Sequence, residues 1–263
     1  MNQLSRVRKL VVVLGSAIAL AGCAAAAPAG TATPPSTPTP MPSSSPTPTP
    51  TPAARDIWSF EPLAPIEPGT YFIDPDLDPS TSLRVLYEVP AQGWSMWIGG
   101  VKFRDAGHVD VSITTVVNLV REGCRDHVWA DPPVGPSVND LAAGLAALAP
   151  FKLTSAPEDV SVYGYHGKHL ELTVPDLPAN GVGQHGQFTG CTDGDLKSWV
   201  APFDTAEPGD AYYGYSGPGY RDEYWILDVH GTRLMVAAGR SPGSPSADVA
   251  EQRAILDSIR IEL

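Results

Sequence analysis

The chain has 263 residues, and its 29 Asp and Glu outnumber its 17 Lys and Arg, which gives a formal net charge of −12 at pH 7. This acidic balance argues against nucleic acid as a partner and against a protein that lies flat on an anionic membrane, because both surfaces would repel it. The length is sufficient for one domain with a substantial buried core.

Residues 1–22 form the first distinct segment. They carry Arg6, Arg8 and Lys9 but no acidic residue, and an apolar run from Leu10 to Ala21 follows at once. The run is shorter than the roughly 20 apolar residues that a membrane-spanning helix needs. A basic start, a short apolar middle and small residues at the end are typical of a secretory signal peptide.

The apolar run closes with Leu20-Ala21-Gly22-Cys23, which resembles the lipobox of bacterial lipoproteins. The resemblance implies cleavage before Cys23 and lipid attachment to its sulfur, with the extracytoplasmic face of the cell membrane as location and the membrane as partner. An ordinary signal peptide that happens to contain a cysteine is the alternative. Cleavage would leave 14 Lys and Arg against 29 Asp and Glu, a net charge of −15.

A Pro/Thr-rich stretch follows the predicted lipidation site, and no charged residue lies between Ala24 and Ala54. Proline removes backbone donors and fixes φ, so neither helix nor sheet forms there. Residues 23–56 are therefore predicted to be a disordered tether, with its Ser and Thr as candidates for glycosylation. A docking ligand of the PxxP type is the alternative. Residues 57–263 are predicted to form a single globular domain.

The domain contains two cysteines, Cys124 and Cys191. Outside the cytosol such a pair commonly forms a disulfide, and the sequence favours that interpretation. Two free thiols or a catalytic cysteine are the alternatives.

Hydrophobic periodicity predicts an α+β fold for the domain. Five segments alternate with period two and are predicted to be strands, the last two joined as a hairpin by a tight turn at His230-Gly231: 83–89, 109–114, 170–174, 225–229 and 234–238. The expected architecture is an antiparallel sheet with two helices packed on it.

Capping signals place those two helices. Ser137 and Asp140 open the first, and Pro150 stops it. Ser244-Pro245 opens the second, which runs to about Ser258 before a short terminal strand. The intervening Gly/Pro-rich segment from Pro178 to Tyr220 is predicted to contain long loops.

Motifs at both ends of the domain carry a family resemblance. Gly69-Thr70-Tyr71 leads through a strand to Val89-Pro90-Ala91-Gln92-Gly93-Trp94, and a helix leads to Ile255-Leu256-Asp257-Ser258-Ile259. Together with Gly167–Pro175 these resemble uncharacterised exported domains of actinobacteria and the PsbP-like α+β fold. The resemblance implies a fold and no chemistry.

Catalytic and metal motifs are weak. Ser216 lies in a sequence that nearly matches G-x-S-x-G, but the closing glycine is displaced by one position. His166 and His169 are three residues apart, with His185 further on, and strand geometry would separate the first two. Asp74, Asp76 and Asp78 suggest a calcium loop but lack its Gly and Glu. No catalytic residue, metal site or cofactor is predicted, and no dinucleotide or phosphate loop is present.

Aromatic residues are the most suggestive feature. Trp94, Trp97, Tyr213 and Tyr215 are predicted to bind a ligand by stacking on sugar rings or by lining an apolar pocket, and core packing is the alternative. The leading hypothesis is a non-enzymatic binding module of the cell envelope whose ligand is a small molecule, a glycan or an envelope protein. The second is a cell-envelope hydrolase that uses Ser216 or His166 with a carboxylate. A spacer without a ligand is the third.

Overall fold

A computed structural model describes residues 53–105, 107–179, 188–204, 213–215 and 217–263. The predicted signal peptide 1–22, the predicted lipidation site Cys23 and all but the last residues of the predicted tether 23–56 lie outside this part of the chain. Within it, no helix is long and apolar enough to cross a membrane.

The described residues form fifteen strands and two α-helices. The strands are β1 (Arg55–Asp56), β2 (Pro65–Ile66), β3 (Gly69–Ile73), β4 (Arg84–Val89), β5 (Trp94–Ser95), β6 (Gly99–Arg104), β7 (Gly107–Thr115), β8 (Asn118–Glu122), β9 (Asp126–Trp129), β10 (Lys152–Val162), β11 (Tyr165–Thr173), β12 (Trp199–Val200), β13 (Arg221–Val229), β14 (Thr232–Arg240) and β15 (Arg260–Glu262). The helices are α1 (Val138–Ala147) and α2 (Ser246–Asp257).

The strands build three sheets. The largest has the order β10-β11-β13-β14-β7-β6-β5-β2, a second has the order β1-β3-β4-β15, and β12-β8-β9 form the third. The prediction of an α+β fold, one antiparallel sheet with two helices packed on it, is wrong, since the fold is β-rich and the pair of β1 with β3 is parallel. Several strands have only two residues, too few to show a period, and only tertiary pairing defines them.

The long predicted strands and the hairpin at His230-Gly231 are confirmed. In β4 the alternate residues Val85, Tyr87 and Val89 are buried, as the period-two pattern indicates. Strand β7 differs, because Asp110, Ser112 and Thr114 on its polar face are buried as well. Both faces of the large sheet are therefore covered at β7, and its polar face is part of the interior.

Helix α1 lies where the capping signal places it, whereas α2 begins one residue later than predicted, at Ser246, because the Ser244 hydroxyl donates to the carbonyls of His108 and Ser241 and does not cap the helix. The Ser137 hydroxyl accepts a hydrogen bond from the Asp140 amide (3.1 Å), and the Asp140 carboxylate accepts one from the Ser137 amide (2.9 Å), which completes a capping box at α1. Helix α1 packs on β10, β11 and β13, whereas α2 packs on β4 and β7.

The predicted disulfide between Cys124 and Cys191 is confirmed. It closes a loop of 67 residues that includes α1, β10 and β11. Backbone hydrogen bonds from Thr192 to the Cys124 carbonyl (2.7 Å) and from Lys197 to the Gly123 carbonyl (2.8 Å) run beside the disulfide. The cross-link therefore fastens the chain after β11 to the turn between β8 and β9.

Candidate functional site

The predicted ligand-binding tryptophans belong to the packed interior. Trp94 has no exposed surface, and its indole Nε1 donates a hydrogen bond to the Glu251 carboxylate on α2 (3.0 Å). Trp97 is partly buried and packs against the same core. Trp94 is therefore a core residue, and its ring has no exposed face that a ligand could contact.

The two predicted tyrosines are buried as well, with 5% of each residue exposed. The Tyr213 ring stacks on Trp199 with centroids 4.6 Å apart, and Tyr215 meets Tyr213 edge-on at 5.2 Å. These rings pack against one another and not toward solvent. They do not form a stacking surface with Trp94 and Trp97.

The hydroxyls of these tyrosines lead to a buried group that we call the Asp–Tyr cluster, consisting of Asp110, Asp222, Tyr213, Tyr215, Tyr220 and Tyr224. Tyr213 and Tyr220 donate to the two oxygens of Asp110, the first at 2.9 Å. Tyr224 donates to Asp222 at 2.9 Å and shares a hydrogen bond with Tyr215 at the same distance. The cluster joins β7 and β13 to the segment that contains Tyr213, so all four hydroxyls are used within the fold.

Two buried carboxyl groups determine the electrostatics of the cluster, and neither forms an ion pair with a lysine or arginine in the part of the chain that the structure describes. Burial, together with the charge of Asp110, raises the pKa of Asp222 to about 8. Burial also raises the pKa of Asp110, against the influence of His108, whose Nε2 lies 3.6 Å from its carboxylate. Asp222 therefore keeps its proton at neutral pH.

The structure also places the weaker catalytic and metal candidates. Ser216 lies outside the described residues, as does His185. His166 pairs with Ser161 and His169 with Glu158 across β10 and β11, so the two histidines are on opposite faces of the sheet. Among the described residues, no group of three His, Cys, Asp or Glu side chains is arranged to hold a metal ion.

An open groove lies on the α1 side of the large sheet, where β10, β11, β13 and β14 end in hairpin turns. Four of the side chains that line it, one from each strand, are called the polar row: Ser161, His166, Asp228 and Arg233. Ser161 pairs with His166 and Asp228 with Arg233, while the pairing of Gly167 with Leu227 brings His166 beside Asp228. The groove has a volume of about 680 Å³.

The start of α1 forms the opposite wall, and Arg233 fixes it there. The Arg233 guanidinium donates to the carbonyls of Gly135, Ser137 (3.4 Å) and Val116 (2.9 Å). Ser137 and Asn139 then line the groove above the sheet. One arginine thus joins the helix cap to the polar row and holds the two walls at a fixed separation.

Two tight turns border the groove and open into a second hollow of about 570 Å³. Tyr163 and His230 have φ values of 54° and 52°, and each is followed by a glycine with positive φ, as two-residue hairpin turns require. The second hollow shares His166, Asp228 and Gly231 with the groove and adds Tyr163, Tyr165 and His230. The two hollows therefore adjoin at the tips of the hairpins, although Tyr165 lies on the opposite face of β11 from His166.

Ser161 and His166 share a hydrogen bond of 2.7 Å between Oγ and Nδ1. Both residues are exposed, and no carboxylate among the described residues forms an ion pair with the His166 ring. The Asp228 carboxylate instead accepts a hydrogen bond from the Gly231 amide (2.7 Å). Among the described residues, this pair therefore has no carboxylate in ion-pair contact with the imidazole, the position that the third member of a catalytic triad occupies.

The polar row was missed because no local motif connects its members. Its only sequence signal is the repeated order of an aromatic residue and glycine, Tyr163-Gly164 and His230-Gly231, each between alternating segments. Comparison of the chain with protein-family models and with curated proteins gives no match. The groove is therefore the feature of the molecule that bears on its function.

Proposed function

We propose that the protein is a lipid-anchored, extracytoplasmic binding module that holds its ligand in the groove between the polar row and the start of α1. The groove is the single observation that carries the proposal. The four residues of the polar row come from four adjacent strands, so hydrogen-bonded pairing fixes their spacing before any ligand arrives. Sites on rigid elements bind without a large ordering cost.

The lipid anchor is proposed from the Leu20-Ala21-Gly22-Cys23 sequence. A Cys23→Ser variant is expected to leave the membrane fraction and accumulate in the medium or remain as the uncleaved precursor, because its hydroxyl does not accept the lipid. Fractionation followed by mass spectrometry of the N-terminal peptide measures this. An Ala24→Ser variant, with the same side chain one position later, should stay lipidated. Cys23→Ser protein that keeps a lipid mass and its membrane association would refute the anchor.

The binding role is tested by native mass spectrometry of the full-length protein, purified in mild detergent from its own host. We expect an additional mass that is retained by the wild-type protein and lost by the His166→Ala/Asp228→Ala variant, since two hydrogen-bonding groups of the polar row disappear. Each lost hydrogen bond to a ligand weakens binding by about tenfold when the partner is charged.

The chain offers a matched control for this experiment. Glu158 and His169 form another acid–histidine pair (3.3 Å) on β10 and β11, but on the opposite face from His166. The Glu158→Ala/His169→Ala variant should keep the bound mass. If the groove variant retains the mass as well as the control does, the ligand lies elsewhere and the proposed site is wrong.

A further inference from the structure

We infer that the ligand of the groove is an uncharged carbohydrate chain of more than one sugar unit. The inference rests on the proposed function, because it assigns a chemical class to the ligand of that same groove. The charge balance of the groove and the order of its hydrogen-bonding groups support this inference, and an aromatic pair at the tips of the hairpins adds to them.

The charges around the groove balance. Asp159 and Lys168 form an ion pair of 2.7 Å at one side, and Asp228 lies beside Arg233 in the polar row. Two acidic and two basic side chains give the groove no preference for a charged ligand. The acidic surplus of the whole chain, 29 Asp and Glu against 17 Lys and Arg, also repels polyanions at longer range. A neutral polar ligand is not repelled by the net charge of the protein and needs no unpaired charge in the groove.

The polar row presents donors and acceptors in a line. A hydroxyl, an imidazole and a carboxylate stand side by side on neighbouring strands, which lie about 4.8 Å apart, so these three groups extend over roughly 10 Å, while the Arg233 guanidinium at the end of the row is held by the carbonyls of Gly135, Ser137 and Val116. Sugar hydroxyls both donate and accept, and each can match any of these groups. The length of the row exceeds a single sugar ring, which indicates an oligomeric ligand.

An aromatic pair at the tips of the hairpins supplies an apolar surface for a further sugar unit. Tyr165 and His230 meet edge-on with ring centroids 5.8 Å apart, in the hollow that shares His166 and Asp228 with the groove. A sugar ring has polar edges and an apolar face, and aromatic side chains bury such a face while polar groups bind the hydroxyls. Tyr165 lies on the opposite face of β11 from His166, so a chain that follows the row and then turns around the tips of the hairpins would place its next unit against these rings.

The test measures binding of the full-length protein in detergent micelles to neutral and to uronic-acid-containing oligosaccharides released from the envelope of its host. We expect a neutral oligosaccharide to bind and Asp228→Ala to weaken it by about tenfold or more. Tyr165→Ala should weaken the longer chains more than a disaccharide, because only longer chains reach the second hollow. Glu158→Ala/His169→Ala is the control and should bind as the wild type does.

Each contrary result is distinct. If the protein retains an envelope ligand that depends on Asp228 but binds no neutral oligosaccharide, or prefers the acidic ones, the carbohydrate inference is overturned while the binding role stands. If neither the oligosaccharides nor the native ligand depends on Asp228 and His166, the inference and the proposed function fall together.

Discussion

Removing the Cys124–Cys191 disulfide is expected to lower the free energy of unfolding by about 4 kcal/mol, the chain-entropy value for a loop of this length. The cross-link closes 67 residues that contain α1, β10 and β11, and so restricts a quarter of the unfolded chain. Chemical denaturation of a Cys124→Ala/Cys191→Ala variant measures the loss. The midpoint should move to lower denaturant concentration, with a change in slope if the unfolded chain expands.

Reduction supplies the control for this prediction. A thiol reductant should bring the wild-type midpoint toward that of the double variant and leave the variant unchanged. The backbone hydrogen bonds that Thr192 and Lys197 donate do not involve the sulfur atoms, so we expect the fold beside the cross-link to survive under mild conditions. A double variant as stable as the wild type would show that the unfolded chain gains no freedom from the missing link.

Local signals in the sequence predict the parts of the fold that depend on near neighbours. Ser137 and Asp140 are three residues apart and define the start of α1 without reference to the rest of the chain. His230-Gly231 defines a turn for the same reason. The architecture could not be predicted in this way, because strands such as Trp94–Ser95 and Trp199–Val200 exist only through distant partners.

The candidate site depends on long-range pairing even more than the fold does. Ser161 and Arg233 lie 72 positions apart in the sequence and line the same groove only because four strands pair in a particular register. Asp110 alternates with apolar residues in β7, a pattern that indicates a solvent-facing side chain, yet the segment around Tyr213 covers it. The sequence does not show that Trp94 and Tyr213 are buried either, because their partners, Glu251 and Asp110, are distant in the chain.

The Asp–Tyr cluster predicts an unusual dependence of stability on pH. Asp222 has a pKa of about 8 in the folded protein, whereas an unfolded aspartate has a pKa of about 3.9. The folded state therefore holds a proton that the unfolded state releases, and the stabilisation present below about pH 4 is lost as the pH rises toward about 8. One such proton changes the free energy of unfolding by at most about 1.4 kcal/mol per pH unit.

Three other titratable groups determine the pH range in which the effect of Asp222 on stability can be measured. Burial lowers the pKa of His108, so that residue works in the opposite direction, but only below about pH 6.5, the pKa of an unfolded histidine. Burial raises the pKa of Asp110, in the same direction as Asp222. The carboxyl of Asp248, held by Arg104 and Lys102 with a pKa of about 2, contributes only in acid. The interval from about pH 6.5 to 8 therefore lies above the effects of His108 and Asp248 and contains the titration of Asp222.

Urea denaturation at several pH values in that interval is expected to show wild-type stability falling as the pH rises. An Asp222→Asn variant should lose much of this slope, since the amide keeps the shape of the protonated carboxyl but does not titrate. Asp228→Asn, an exposed carboxyl on the same strand, should keep the wild-type slope. Equal slopes in the wild type and Asp222→Asn would mean that the unfolded and folded states release this proton together. A reduced slope would identify Asp222 as the group whose proton stabilises the folded state below about pH 8, because the protonated carboxyl can lie beside Asp110 without a second buried charge.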